Sequence, residues 1–437
     1  MISTPIYDFV KKYAEKKNVR LHMPGHKGID VLGCEKYDIT EIPGADSLFE
    51  ADGIIAESEK NLSYIYNTRS SFYSAEGSSL CIRTMVYLAM KYSGGRKKIL
   101  AGRNAHKSFL SALALCDADA DWLYGENLYS CEITAEALEN ALCRDEYFAV
   151  YITNPDYLGN MVHIKSLADV CHKHNVPLLV DNAHGAYLKF TGQHPMDNGA
   201  DMCCDSAHKT LCCLTGAAYL HVSKTAMCPY EKDVKSAMSL FASTSPSYLI
   251  MASMDLMNRE MLDGYEEKVR NTSMLCTELK TNLSHLGFDL SGRESLKVNV
   301  RPKSFGYTGS EISCLAEREG IYPEFADKDN LVFMFTPNNS EEDFEKITRF
   351  FAKLERRMQI CETPPKLSKL EKAMTPRQAM FSFWETIPVK KALGRILASP
   401  CVSCPPAIPI AVCGEIVDEN SVRCFEYYGT EYVKVVK

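Results

Sequence analysis

Short apolar runs alternate with helical patterns between about residues 70 and 225 of the chain. Two stretches, HKSFLSALALC and HIKSLADVCHKH, place apolar residues three and four apart, which predicts helices. The apolar runs between them are typical of buried strands. They are KKILAG (97–102), YFAVYIT (147–153), VPLLVDNAH (176–184), ADMCCDS (200–206) and GAAYLHV (216–222). The alternation predicts an α/β fold with a mainly parallel sheet covered on both faces.

The pattern changes along the rest of the chain and predicts further parts. Residues 226 to about 290 have a helical pattern that ends at a C-cap glycine. Beyond them, the strand-like runs LKVNVRP and NLVFMFTP and the helical run EEDFEKITRFFAKLERRM predict a second, smaller α/β unit. The Pro-rich stretch TPPKLS then separates a tail. We therefore predict an N-terminal arm (1–34), a large domain (35–290), a small α/β domain (291–362) and a C-terminal region (363–437).

Composition excludes several classes of protein. The 437 residues are 46% hydrophobic, which is enough for one large core and a smaller domain. Lys and Arg total 49 against 56 Asp and Glu, for a net charge of −7, and no basic stripe argues for nucleic acid. No apolar run approaches the ~18 residues that span a bilayer, and the amphipathic opening lacks a signal-peptide core. We expect a cytoplasmic protein without a membrane partner.

The chain contains 18 cysteines, which we expect to be reduced because the chain is long and leaderless. Two adjacent pairs, Cys203–Cys204 and Cys212–Cys213, lie in apolar contexts that suit small buried side chains. Cys401 and Cys404 form a CxxC, but no second pair follows at zinc-ribbon spacing. An ordinary loop is therefore predicted there, and no metal site.

Reactive side chains follow two of the predicted strands. Asp181 and His184 end VPLLVDNAH, and Ser206, His208 and Lys209 follow ADMCCD. Ligands of open α/β sheets bind beyond the carboxyl ends of the strands. A lysine after a strand is usually a solvated loop cation. Here it accompanies a carboxylate at the end of a buried strand, which needs a cationic partner.

This set of residues matches the needs of pyridoxal phosphate, which requires a lysine for a Schiff base and a carboxylate for its pyridine nitrogen. Gly77, Ser78 and Ser79 lie where a loop becomes a helix, and the N-terminus of a helix binds phosphate well. An ordinary N-cap has the same pattern. His106 in RNAHKS follows another strand, which favours ring stacking on the cofactor over a surface histidine.

The chain resembles the ornithine/lysine/arginine decarboxylase family, whose members are pyridoxal-phosphate enzymes of fold type I. The resemblance runs nearly from end to end. It rests on LHMPGHKG (21–28), DITEIPGADSLFEADGII (38–55), RNAHKS (103–108), DNAHGAY (181–187), DSAHKTL (205–211), STSPSYLIMASMD (243–255), GIYPEFAD (320–327) and PPAIPIAVCGE (405–415). It implies decarboxylation of arginine, lysine or ornithine to an amine that feeds polyamine synthesis, with arginine favoured.

The resemblance also implies roles for individual residues. Lys209 holds the cofactor as a Schiff base, Asp181 pairs with the pyridinium, and His106 stacks on the ring. His184 hydrogen-bonds the 3'-oxygen, while Ser206 and His208 flank the phosphate and the Schiff base. Either Lys209 or His208 returns a proton to the product.

Subunit organisation is likewise implied by the resemblance alone. The chain has the length of the short form of the family, without the N-terminal wing domain, and its first 30 residues are expected to pack near the active site. A homodimer or higher homo-oligomer with shared active sites is expected, in which STSPSY serves the cofactor of the partner subunit.

The distal cation of a basic substrate needs an acid. Glu324, Asp327 and Asp46 are the sequence candidates, although each also fits a surface charge. An aminotransferase or a carbon–carbon lyase is the rival chemistry, and transamination would require a guanidinium clamp such as Arg301. A non-catalytic binder is a third reading, which the presence of Lys209 and Asp181 opposes.

One departure from the family pattern concerns the phosphate loop. The family has an Asn-Gly-Thr/Ser stretch there, whereas this chain has SAEGSS, with Glu76 before the glycine. An acid beside a phosphate is unfavourable unless it points away or pairs with a cation, for which Arg83 and Arg103 are candidates.

Overall fold

The structure is a computed structural model that describes residues 2–125, 127–402 and 407–437. Its α-helices are α1 Pro5–Glu15, α2 Ile54–Tyr66, α3 Ser78–Lys91, α4 Lys107–Cys116, α5 Ala135–Leu142, α6 Ile164–Lys173, α7 Ala207–Thr210, α8 Val234–Ser239, α9 Tyr248–Leu262, α10 Tyr265–His285, α11 Gly309–Arg318, α12 Glu341–Ala352, α13 Pro376–Phe381 and α14 Glu419–Tyr427. Its strands are β1 Ser70–Ser74, β2 Lys98–Gly102, β3 Asp119–Leu123, β4 Val150–Thr153, β5 Leu178–Asp181, β6 Met202–Asp205, β7 Ala218–Val222, β8 Asp289–Ser291, β9 Lys297–Arg301, β10 Phe325–Ala326, β11 Leu331–Met334, β12 Trp384–Pro388, β13 Cys401–Val402, β14 Ala411–Val412 and β15 Tyr432–Val436.

The chain forms two compact units, each assembled from stretches that are distant in sequence. The first unit comprises the residues up to Arg96, Glu146–Ile152 and Ile164–Glu267. The second unit comprises Lys97–Asp145, Thr153–His163 and Lys268–Lys437. The four predicted domain boundaries follow the sequence patterns instead, and they stay predictions.

The first unit is built on a sheet in the order β1-β7-β6-β5-β4. Strands β5 and β6 are parallel, with Asp181 opposite Cys204, whereas β7 pairs antiparallel with both β6 and β1. Every residue of β5, β6 and β7 is buried. A strand covered on both faces is mostly apolar, which is why these runs do not alternate with polar residues, and the polar exceptions are Asp181, Asp205 and His221.

The second unit contains the parallel pair β2–β3 and an antiparallel sheet in the order β10-β11-β9-β8. Two smaller pairs, β12–β15 and β13–β14, belong to its C-terminal part. The seven-stranded sheet formed by β1 to β7, together with the helices between its strands, confirms the predicted α/β class with a large, mostly parallel sheet. The predicted small α/β unit contains the expected strands β9 and β11.

The structure differs from the predicted elements at several places. The helical pattern from residue 341 continues to residue 358, but α12 ends at Ala352 because main-chain N–H groups beyond it bond elsewhere: Arg357 N donates to Phe305 O and Ile360 N to Lys303 O. The stretch 226–290 is divided into α8, α9 and α10. Strands β1 and β3 carry serines and acids, and the apolar pattern did not predict them.

Expectations about thiols and membranes have a partial outcome. The cysteines whose side chains the structure describes, which exclude Cys401 and Cys404, are free thiols. Cys404 of the CxxC lies outside the described residues, so the loop prediction is untested. Among the helices of the described residues, none combines the length and the apolar character that a membrane crossing needs.

A buried ion pair stabilises the second unit. The guanidinium of Arg103, which follows β2, donates to both carboxylate oxygens of Glu415, at 2.6 and 2.7 Å. Both side chains are at most 3% exposed, and the guanidinium also lies over the rings of Trp122 and Tyr124. Glu415 Oε2 accepts a further bond from Val412 N. The pair therefore joins the predicted C-terminal region to the segment that leads into α4.

We predict that Glu415→Gln lowers the free energy of unfolding by about 3–5 kcal/mol, because it leaves the Arg103 charge buried without its counter-ion. The matched control is Glu345→Gln, which removes an exposed carboxylate paired with Arg349 and should cost about 1 kcal/mol or less. Denaturant unfolding followed by tryptophan fluorescence measures both. Equal losses in the two variants would contradict the prediction.

Candidate active site

The predicted reactive residues of the first unit meet where β5 and β6 end. Asp181 is the last residue of β5, and a turn after it carries His184. Residues Ala207–Thr210 after β6 form α7, which carries His208 and Lys209. The two strands are parallel neighbours, so both segments leave the sheet at the same edge. Lys209 Nζ lies 3.0 Å from His184 Nε2, so two of the predicted residues are in contact.

Asp181 is only 2% exposed, and its carboxylate is held by groups of the first unit. The hydroxyl of Tyr151, on β4, donates to Oδ2 at 2.9 Å. Oδ1 accepts from the main-chain N–H of Ala183 at 3.2 Å, and the Cys204 thiol lies 3.7 Å from it. Tyr151 was not among the predicted site residues. Its position in YFAVYIT, one strand away from VPLLVD, was the available signal.

His208 is oriented by the main chain. Its Nδ1 lies 2.8 Å from the carbonyl oxygen of Ala217 and donates a proton to it, which leaves Nε2 without that proton in the neutral imidazole. Lys209 and His208 are both partly exposed, whereas Ala207 and Thr210 on either side are buried. The short helix therefore presents its two basic groups and hides their neighbours.

The predicted phosphate loop begins α3. Gly77 has φ +71°, a conformation that favours glycine, and the helix starts at Ser78. The Ser206 hydroxyl donates to Ser78 Oγ at 2.8 Å, so the segment after β6 reaches this helix terminus. Ser79 follows in the first turn. A helix N-terminus with two hydroxyls, together with the nearby amine and carboxylate, supplies the donor set that pyridoxal phosphate requires.

Glu76 does not face a cation in the described contacts. Its Oε1 accepts a hydrogen bond from the main-chain N–H of Ser243 at 2.7 Å, in the STSPSY stretch. One of the two predicted partners, Arg103, lies in the second unit and is bound to Glu415. The Glu76 carboxylate is therefore held by a main-chain donor. This contact fits a side chain that points away from the phosphate better than one that forms an ion pair.

Three predicted residues lie in the second unit, and their relation to the Lys209 site stays a prediction. His106 is exposed and is the N-cap of α4, where its Nδ1 accepts from Ser108 N. Glu324 is exposed, and its Oε1 accepts from the Tyr157 hydroxyl at 2.9 Å. Asp327 is 3% exposed. Its Oδ1 accepts from the N–H groups of Asp329 and Asn330, and burial raises its pKa to about 6.

Asp46, in the first unit, has a main-chain role. Its two carboxylate oxygens accept hydrogen bonds from N–H groups at the start of α2 and just before it, including those of Gly53 and Ile55, both at 2.9 Å. Burial alone would raise its pKa, but these donors hold the pKa below its usual value. This geometry supports helix capping more directly than recognition of a substrate.

The arginine named for the transamination alternative packs on an aromatic ring. The guanidinium carbon of Arg301 lies 4.4 Å from the centre of the Tyr129 ring, and both residues belong to the second unit. This is a cation–π contact of ordinary geometry. It gives Arg301 a packing role in that unit.

Comparison with known families and proteins extends over almost the whole chain. Residues 4–285 match the model described as Orn/Lys/Arg decarboxylase, major domain, and residues 361–431 match Orn/Lys/Arg decarboxylase, C-terminal domain. The arginine decarboxylase of Bacillus subtilis (strain 168) is 30% identical, over 96% of this chain and 92% of the relative.

Solved structures share the fold at lower identity. Lysine decarboxylase A from Pseudomonas aeruginosa matches with a TM-score of 0.82 and 17% identity, covering 99% of this chain and 80% of that one. The lysine decarboxylase of Francisella novicida matches with a TM-score of 0.79 and 17% identity, covering 100% of this chain and 81% of that one.

We predict that Tyr151→Phe lowers the free energy of unfolding of the cofactor-free protein by about 1–3 kcal/mol, because it leaves Asp181 Oδ2 buried without its hydroxyl donor. The control is Tyr219→Phe, in the same sheet. The hydroxyl of this fully buried tyrosine lies 3.9 Å from the weakly polar Cys213 thiol, so its loss should cost less than about 1 kcal/mol. Denaturant unfolding compares the two, and a larger loss in the control would contradict the role of Tyr151.

Proposed function

We propose that this chain, which belongs to the Orn/Lys/Arg decarboxylase family of pyridoxal-phosphate enzymes, removes the carboxyl group of arginine. The family assignment makes it a pyridoxal-phosphate-dependent decarboxylase with an amino acid substrate. The choice of arginine among the basic amino acids is ours. It is supported by the similarity to arginine decarboxylases over nearly the whole chain.

The observation that carries the proposal is the contact between Lys209 Nζ and His184 Nε2 at 3.0 Å, one turn away from a buried Asp181. These are the amine, the imidazole and the carboxylate that the cofactor needs, on two neighbouring segments of one unit. When bound, pyridoxal phosphate supplies the sink for the electrons left behind as carbon dioxide departs.

We assign the chain's own groups as follows. Lys209 provides the amine that holds the cofactor covalently, and Asp181 keeps the ring nitrogen protonated through its negative charge. His184 binds the 3'-oxygen, and His106 covers the ring. The phosphate is bound at the start of α3 by the group formed by Gly77, Ser78, Ser79 and Ser206.

Two groups are candidates for returning a proton to the α-carbon after carbon dioxide leaves. One is Lys209 Nζ, beside His184. The other is His208 Nε2, since its Nδ1 proton is donated to Ala217 O. A general acid must lie within hydrogen-bonding reach of the carbon that it protonates, and both residues belong to the same short helix.

For the guanidinium of the substrate we propose Glu324. Of the three predicted acids, Asp46 and Asp327 have carboxylates that accept several main-chain hydrogen bonds, whereas Glu324 is exposed and accepts one from Tyr157. A carboxylate can bind the planar guanidinium through two parallel hydrogen bonds, which an ammonium group cannot reproduce.

We further propose that the enzyme is a homodimer or a higher homo-oligomer with shared active sites. Apolar side chains of the predicted arm are 70–88% exposed in the single chain, which is unusual unless another surface covers them. These residues are Val19, Leu21, Ile29, Val31 and Leu32. A second copy of the chain is the partner that the proposal names.

The cellular setting is also proposed. Free thiols in the described part of the chain fit a reducing compartment, which supports a cytoplasmic location. The amine made from arginine would there enter polyamine synthesis.

The substrate is tested by incubating the purified holoenzyme separately with arginine, lysine and ornithine while carbon dioxide and the amines are measured. We expect kcat/KM for arginine to exceed the values for lysine and ornithine by at least about tenfold, because the proposed Glu324 carboxylate pairs with a guanidinium. Lys209→Ala is the control and should lose turnover while it remains folded. Faster release from lysine or ornithine would replace the proposed substrate, and full turnover by the control would remove the role of Lys209.

The oligomer is tested by sedimentation velocity. We expect Leu32→Glu to shift the protein towards the monomer, because the change buries a charge in an apolar contact. Met358→Glu is the matched control: this methionine is 90% exposed but lies outside the arm, so its replacement should leave the sedimentation coefficient unchanged. A monomeric wild-type protein would contradict the proposal.

A further inference from the structure

A cluster of buried polar groups lies behind the proposed cofactor site. Asp205 is the last residue of β6, and its carboxylate is fully buried. Oδ2 lies 3.0 Å from His194 Nε2 and 3.3 Å from His221 Nε2, while Oδ1 accepts from the Asn182 side-chain amide at 2.6 Å. All four residues belong to the first unit and are 0% exposed. None of the roles assigned above uses this carboxylate.

The hydrogen bonds indicate that this cluster stabilises a buried carboxylate and is not arranged as a metal site. The main-chain N–H of Met196 points at His194 Nδ1, 3.3 Å away, so Nδ1 accepts and the neutral imidazole carries its proton on Nε2, facing Asp205. A metal bound at Nε2 would require that proton on Nδ1, where the N–H of Met196 already donates. The cluster therefore fits a buried anion that is surrounded by donors.

The negative charge of Asp205 is stabilised by hydrogen bonds inside the cluster. Burial on its own would raise the pKa of this carboxyl, but the imidazoles of His194 and His221 hold it well below its usual range. The Ser71 hydroxyl lies 2.7 Å from His221 Nδ1 and extends the network to β1. Asp205 is thus a fixed negative charge that accepts from His194, His221 and Asn182, and the weakly polar Cys203 thiol lies 3.7 Å from Oδ1. Of these donors, Asn182 is the one that leads towards the site.

Asn182 connects the Asp205 cluster to the turn that carries the site residues. It follows Asp181 directly, and its main-chain oxygen accepts from Gly185 N at 2.7 Å, which closes the turn around His184. A Cβ on Gly185 would lie 2.1 Å from Asn182 Oδ1, so the amide packs against the glycine backbone. The Asn182 side chain is therefore held on one side by Asp205 and on the other by Gly185.

We propose that Asp205 is a positioning residue for the cofactor: by binding the Asn182 amide it fixes the turn that aims Asp181 and His184 at the site. The same residue is the last of β6, directly before the segment with Ser206 and Lys209, so it anchors both halves of the site. This inference rests on the proposed assignment of Asp181, His184 and Lys209 to pyridoxal phosphate.

The test compares Asp205→Asn and Asn182→Ala with a matched control, Asp255→Asn. Asp255 is another fully buried carboxylate of the first unit, but it accepts from the N–H groups of Ile6 and Tyr7 at the start of α1. Two properties are measured in each variant: the dissociation constant of pyridoxal phosphate by equilibrium dialysis, and the circular dichroism of its visible band per bound cofactor. The second reports how firmly the ring is oriented, which lost stability alone does not change.

We expect Asp205→Asn and Asn182→Ala each to weaken cofactor binding about tenfold and to reduce the visible dichroism, because either change removes the charge-assisted bond to the turn. Asp255→Asn should match the wild type in both properties. Asp205 acts through Asn182, so the effects of the two changes should not add. The double variant should therefore bind pyridoxal phosphate no more weakly than whichever single variant binds it less tightly.

Several outcomes would overturn the inference. Wild-type binding and dichroism in Asp205→Asn, equal losses in Asp255→Asn, or losses that multiply in the double variant would each do so. If Asp205→Asn does not fold, Asn182→Ala decides, and wild-type values in that variant remove the inference.

Failure of the underlying assignment is distinguishable. Borohydride reduction of the wild-type protein followed by peptide mass analysis shows whether the cofactor is attached to Lys209. No label on Lys209 would remove the proposed assignment and the inference with it. Label on Lys209 with undisturbed variants would remove the inference alone.

Discussion

The parallel pairing of β5 with β6 is the constraint on which the rest of the site depends. Their register sets Asp181 opposite Cys204, so both strands end at the same edge about 4.8 Å apart. This brings Lys209 and His184 into hydrogen-bonding contact although they are 25 residues apart in the chain. A register slip of one residue would turn Asp181 to the opposite face of the sheet and separate the carboxylate from the amine.

Much of the fold could be predicted because local patterns of apolar and polar residues indicate the buried strands and the amphipathic helices. Strands β1 and β3 could not, because their polar side chains find partners that lie far away in sequence. Ser71 bonds His221, and Asp119 at the start of β3 pairs with Lys372. The end of α12 was mispredicted for the same reason, since tertiary hydrogen bonds from the following residues compete with continuation of the helix.

The same distinction between local patterns and contacts distant in sequence applies to the candidate site. It could be predicted that Lys209, Asp181 and His184 lie at one edge of the sheet, because each ends or follows an apolar strand; their roles stay a proposal. The sequence could not separate acids that accept main-chain hydrogen bonds from acids that could bind a substrate. Asp46 and Glu324 are both acids in predicted loops, and they differ only once the main-chain donors around Asp46 are located. Tyr151 was missed because its value lies in one hydroxyl that reaches Asp181 from the neighbouring strand.

Asp181 and Asp205 end two neighbouring strands of the sheet, and their buried carboxylates are stabilised differently. An uncompensated carboxylate in a protein interior costs several kcal/mol, and Asp181 and Asp205 are both buried. Asp205 accepts from two imidazoles, one of them from β7, and from the Asn182 amide. Asp181 has a weaker set of donors in its described contacts, which are the Tyr151 hydroxyl, Ala183 N and the Cys204 thiol. This difference supports the proposal that Asp181, rather than Asp205, pairs with the positive charge of a bound pyridinium.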